Sequence, residues 1–182
     1  GTVSVIDVAT NTVETSIIVG NFPTGTAFNS DGSRLYVTNL SSNDISVVNT
    51  ATNAVVNTIT VGNAPWGIAL SPDGTKVDVA NQTDRDVSVI NANTGTIIKD
   101  IPVQNLPHDV VISADGTKVY VGHNSGLEGS NRSKGAISII DISSDAVEET
   151  LFTDFKRAHA LAVHPNGNIY VALEGFDNSI CR

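Results

Sequence analysis

The sequence predicts an all-β fold, a β-propeller of four-stranded antiparallel blades, and three observations carry that prediction. The turn "SDG" ending at Gly32 returns as "SPDG" at Gly74 and "SADG" at Gly116, 42 residues apart each time, and as "HPNG" at Gly167 after 51. The run "VSVID" (3–7) returns as "ISVVN" (45–49), "VSVIN" (87–91) and "ISIID" (137–141), with steps of 42, 42 and 50. Between them recurs "RLYVTN" (34–39), as "VDVAN" (77–81), "VYVGH" (119–123) and "IYVAL" (169–173). A period of about 40 to 45 residues holding several short strands is the sequence sign of propeller blades.

Each unit divides into four strands, A to D, and the second complete unit serves as the template: Trp66–Leu70 (A), Lys76–Asn81 (B), Asp86–Asn91 (C) and Ile97–Val103 (D). Strict alternation in "DVSVIN" argues a strand, and the connections are hairpin-sized. The A–B link "SPDGT" places Asp-Gly where a tight hairpin wants positive φ. In the C–D link, stepping by the repeat from Asn11 lands on Asn53, Gly95 and Asp145. These residue types tolerate a left-handed backbone best, so one position per unit is expected to have φ above zero. The units run approximately 1–21 (strands C and D only), 22–63, 64–105, 106–155 and 156–182, within one propeller domain or propeller fragment spanning 1–182.

Composition narrows the function classes. Of 182 residues 40% are apolar but only 5% aromatic, which suits β-branched sheet packing. No run of about 18 apolar residues offers a membrane segment. A net charge of −9 repels phosphate backbones, excluding nucleic acid while leaving cations or a basic protein as partners. The one cysteine, Cys181, excludes an internal disulfide framework and argues against a cysteine metal site.

"LYVTN", the following "DIS" or "VSVI", the preceding "SPDGTKV" and the closing "TNTV…VGN" resemble the YVTN-type β-propeller repeat family over nearly the whole chain. The resemblance implies an extracellular, cell-surface or periplasmic location. It leaves activity open, since such propellers include surface-layer proteins, binding modules, lactonase-like and lyase-like enzymes and propellers joined to cytochromes. Two positions depart from the repeat: Asp78 stands for tyrosine, and Leu173 for a polar residue. About four blades' worth of sequence is present. Closure into a four-bladed ring is conceivable, with the opening C and D strands meeting the final A and B strands. The stronger expectation is a part of a propeller of about seven blades, whose remaining blades, or a second chain, cover the open edges.

The A strands of a propeller line its channel, and the starts of these strands bring Thr24, Trp66, His108 and His159 to one ring position at one mouth, with equivalent side chains expected roughly 6 to 9 Å apart. Imidazole is a transition-metal ligand and a general base near neutral pH, so His108 and His159 are the candidate ligands for a divalent metal ion, with Trp66 and Asp109 beside them. "PHD" (107–109) is similar to the "PHG" of lyase-like propellers, whose channel histidine takes part in metal-dependent chemistry. The bland alternative is that these histidines fill the mouth with hydrogen-bonded polar groups, as two ligands fall short of the four zinc prefers. On the same face, the third complete unit carries eight extra residues within "HNSGLEGSNRSKG" (123–135). That loop adds His123 and Glu128 as candidate ligand-binding residues. Asp78 reads either as a buried acid or as a solvated edge residue. His164 reads as surface, and "NLS", "NQT" and "NRS" at Asn39, Asn81 and Asn131 match the glycosylation triplet at the frequency chance gives. Two functions follow: a binding or structural module at the cell surface, or a channel-mouth metal-binding or enzymatic propeller using the paired histidines.

Overall fold

The computed structural model describes residues 1–124, 135–153 and 157–174. Sixteen strands and no helix occur among them. β1 (Thr2–Asp7) and β2 (Thr12–Ile18) form a two-stranded sheet. Three four-stranded sheets follow. The first contains β3 (Pro23–Phe28), β4 (Arg34–Asn39), β5 (Asp44–Asn49) and β6 (Ala54–Thr60). The second contains β7 (Pro65–Leu70), β8 (Lys76–Asn81), β9 (Asp86–Asn91) and β10 (Ile97–Pro102). The third contains β11 (Pro107–Ile112), β12 (Lys118–His123), β13 (Ala136–Asp141) and β14 (Ala146–Phe152). A second two-stranded sheet, β15 (Arg157–Val163) and β16 (Ile169–Glu174), ends the described chain. All pairs are antiparallel, and strands B and C meet in one register throughout: Arg34 opposite Asn49, Lys76 opposite Asn91, Lys118 opposite Asp141.

The architecture is that of an open, partial propeller. β3 packs beside β7, β7 beside β11 and β11 beside β15, so these first strands line the inside. The terminal half-blades do not join: β1–β2 and β15–β16 remain separate sheets, and the four-bladed closure does not occur among the described residues. Packing joins successive blades instead. Apolar faces of successive blades meet sheet against sheet, and Tyr36, Ile45 and Val47 of the first complete blade share one cluster with Ile68, Val77 and Val79 of the second. Each blade thus buries its neighbour, and among the described residues the stack has two ends.

The turns repeat as backbone geometry. Asn11, Asn53, Gly95 and Asp145 have φ of 54°, 52°, 70° and 48°, as the sequence predicts. Just upstream, the last C-strand residue (Asp7, Asn49, Asn91 or Asp141) accepts two backbone N–H bonds from the turn through its side-chain oxygen. The A–B turns differ from expectation in one respect. Positive φ falls on the glycine alone, at Gly32, Gly74 and Gly116. The aspartate acts through its side chain instead: Asp73 accepts from Ser71 Oγ and from Thr75 N and Oγ1. The same set of bonds holds Asp115 down to about 2.

A third left-handed series was not legible in the sequence. Phe22, Ala64 and Leu106, each preceding an A strand, have φ of 57°, 56° and 51°. Their carbonyls accept from Leu40, Gln82 and Asn124 N, so each corner is locked to the B–C turn of its own blade. No helix of the described residues is long and apolar enough to cross a membrane.

Candidate functional site: the inner wall at the channel mouth

Every inner strand breaks its pairing at the same ring position. Register skips from Pro23 to Thr26, from Pro65 to Ile68, from Pro107 to Asp109 and from Ala158 to Ala160, so Thr24, Trp66, His108 and His159 sit on bulges. A bulge bends the strand and re-aims its side chain. Here it turns the four ring residues toward one groove of about 320 Å³, lined also by Gly25, Gly67 and Asp109.

The rings meet more closely than the expected spacing. Trp66 and His108 lie 4.5 Å apart between centroids at 35°, and His108 and His159 4.4 Å apart at 40°. Between Trp66 and His108 the close approach has its cause in a glycine. A Cβ on Gly25 would lie 2.5 Å from the carbonyl oxygen of Trp66, and one on Gly67 would lie 2.5 Å from that of His108. With no side chain at these positions the inner strands approach backbone to side, and at Gly67 this lets Trp66 stack on His108; His108 meets His159 where the equivalent position is Asp109. Gly25 and Gly67 are one repeat apart, which is the signal that could have revealed the close approach.

Protein atoms already use most of the polar groups. Thr24 Oγ1 and Thr38 Oγ1 both donate to the carbonyl of Trp66, at 3.3 and 2.7 Å, tying the first complete blade to the second. At the position of Gly25 and Gly67 the third complete blade has Asp109. Its carboxylate accepts from Val110 N at 3.0 Å and, across to β15, from Leu161 N at 2.6 Å. His108 is buried, and its Nδ1 lies 3.1 Å from the carbonyl oxygen of His159. A carbonyl only accepts, so Nδ1 carries the proton and Nε2 keeps its lone pair. Burial, with the neighbouring His159 ring, holds the His108 imidazole below its ordinary range and so neutral at pH 7. His159 is exposed. Among the described residues no three His, Cys, Asp or Glu side chains come together as metal ligands would.

The other sequence candidates lie elsewhere. His123 is fully buried and bonds Ser138 Oγ through Nε2 at 2.9 Å. It takes the place that Asn39 and Asn81 hold in the preceding blades, where each donates to the serine of its C strand, Ser46 or Ser88. Its place is the interior of its own blade. Glu128 and Asn131 lie outside the described residues. Asn39 and Asn81 are fully buried, out of reach of a glycosylating enzyme. His164 is exposed in its turn, accepting from Asn166 N. Asp78 is buried, the first of its two readings.

A sequence model of the YNCE-like beta-propeller family matches residues 1–118, from the opening half-blade into the third complete blade. The chain belongs to this family. No curated protein matches it. Among solved structures it is similar to a chain of Kuenenia stuttgartiensis hydrazine synthase, at 27% identity and a TM-score of 0.85 over 99% of this chain. The chain spans about half of that one, 51% of its length. The family's repeat accounts for the blades and their turns. The stacked Trp66, His108 and His159 are not a feature of every repeat, since the first complete blade has Thr24 at that ring position.

Proposed function

We propose that this chain is a binding and structural module of an extracellular or periplasmic β-propeller at the cell surface, without chemistry of its own. The observation carrying this reading is that most of the polar groups at the channel mouth bond blade to blade: Asp109 to Leu161 N, His108 Nδ1 to the His159 carbonyl, Thr24 and Thr38 to the Trp66 carbonyl. Groups committed in this way hold a wall together and are poorly placed to move during a reaction. Membership of the propeller family supports the location, and the charge of −9 favours a basic protein surface as partner.

One observation favours the second reading, a channel-mouth metal-binding or enzymatic propeller. His108 Nε2 is an unprotonated imidazole nitrogen in a groove, oriented by a bond at Nδ1 in the way that metal-ligating histidines are. The likeness to half of a hydrazine synthase chain gives a precedent for such a propeller within an enzyme. Calorimetric titration with zinc at pH 7.5 separates the two. The first reading expects no binding heat. Heat that disappears in both His108→Ala and His159→Ala, and weakens as pH falls below about 6.5, overturns it in favour of the second.

A further inference from the structure

Tyr36 of the first complete blade reaches across to the second, where its hydroxyl donates to the carbonyl of Ala92 at 3.3 Å. The next interface repeats the geometry with different chemistry. Asp78 occupies the tyrosine position, and the counterpart of Ala92 in the third complete blade is Ile142. The carbonyl of Ile142 is met at 2.9 Å by Lys76 Nζ, which also pairs with Asp145 Oδ1 at 2.7 Å. A lysine from two residues upstream has taken over the tyrosine's latch.

Asp78 is left behind in the interior. It pairs with Ala69 on β7 and Val89 on β9, is 2% exposed, and its Oδ2 has no hydrogen-bond partner. Residues two apart on a strand project from the same face, so Asp78 shares its side of β8 with Lys76. The charged groups acting on it are Lys76 on its own strand and Asp145 on the turn of the next blade. The only other cation at that turn in the described bonds is Lys99, whose Nζ is spent on the backbone carbonyl of Asp145 at 2.7 Å.

We propose that Lys76 is a proton-controlled latch between the second and third complete blades: with Asp78 protonated it holds the Ile142–Asp145 turn, and with Asp78 ionised it is drawn back along its own strand and releases that turn. A neutral carboxyl makes no demand on the ammonium, whereas a buried carboxylate without a partner is costly enough to compete with Asp145 for it. Burial raises Asp78 to about 7, Lys76 opposing and Asp145 adding to the rise, which sets the switch near neutrality. Acid closes the latch and alkali opens it.

Hydrogen exchange at the amides of Ser143, Ser144 and Asp145 in the whole chain, at pH 5.5 and 8.5 and corrected for intrinsic rates, reads the latch directly. The native chain is expected to exchange there about tenfold faster at the higher pH, and Asp78→Asn to show no step. Lys76→Gln should exchange fast at both. A step that persists in either variant, or is missing from the native chain, overturns the proposal. Should Asp78→Asn fail to fold, the carbon-13 shift of the native Asp78 carboxyl decides instead: titration near neutrality supports the latch, and a carboxylate already ionised at pH 5.5 ends it.

Discussion

β9 and β1 carry nearly the same letters, "DVSVIN" and "TVSVID", yet they live in different surroundings. In β9 the four central residues are buried, and Ile90 is 0% exposed; in β1 the same position, Ile6, is 59% exposed. B strands differ likewise, Tyr36 being 2% exposed on β4 and Tyr170 60% exposed on β16. A propeller strand is thus apolar on both faces because of what flanks it, and its own sequence does not say whether the flank is present. The largest expected effect follows. Ile90→Ala should cost about 2–5 kcal/mol, and Ile6→Ala about 0.5 kcal/mol or less. Urea denaturation of both variants measures the contrast. Equal losses would break it, by showing that β1 is covered in solution.

This contrast also explains what could be read from the letters. Strands and turns were legible because they rest on local rules: alternation, Asp-Gly, and four turn residues that tolerate φ above zero. Thr24, Trp66, His108 and His159 could be brought to one ring because a repeat fixes equivalent positions. The stacking of Trp66 on His108 was not, since it depends on Gly67 letting strands from different blades approach. His123 shows the same limit. The letters that follow it read as a loop on the mouth face, while its position in the repeat is the interior asparagine site of Asn39 and Asn81. Phe22, Ala64 and Leu106 gave no signal at all, because their left-handed backbone is imposed by the corner and is not favoured by their side chains.

Replacing the interior asparagine by His123 makes one blade sensitive to acid, which sharpens the contrast between blades of equal geometry. Burial holds the His123 imidazole down to about 4, against an ordinary value of 6.5. The folded state therefore resists the proton that the unfolded chain accepts. Stability from neutral His123 is complete above about 6.5 and is lost as pH falls toward 4, by about 3 kcal/mol. His123→Asn, which restores the repeat's own residue, should flatten that part of the pH–stability curve. An unchanged acid limb would mean that other groups produce it.

Turn geometry gives a smaller effect that should be the same in covered and uncovered blades. Asn53 has φ of 52° and is half-buried at a hairpin. Asn53→Gly is expected to be neutral or mildly stabilising, and Asn53→Val to cost about 1–2 kcal/mol, because a β-branched side chain is strained in the left-handed region. Asn11, with φ of 54° in the open half-blade, should respond to the same pair of substitutions in the same way. Equal melting temperatures for the glycine and valine variants would remove the shared-turn account.

The smallest effect isolates a single hydrogen bond at the two tyrosines. Tyr36 sends its hydroxyl 3.3 Å to the Ala92 carbonyl of the next blade, and its ring is enclosed. Tyr36→Phe keeps the ring and removes the donor, leaving a carbonyl without its partner, at a cost of about 1 kcal/mol. Tyr170 occupies the equivalent position on β16 with its ring largely in solvent, so Tyr170→Phe should change stability by only a few tenths of a kcal/mol. Paired denaturation curves in one buffer resolve a difference of that size when the slopes agree. A Tyr170→Phe loss as large as that of Tyr36→Phe would place a further blade, or another chain, against β16 in solution, and the uncovered end of the stack would then be a covered one.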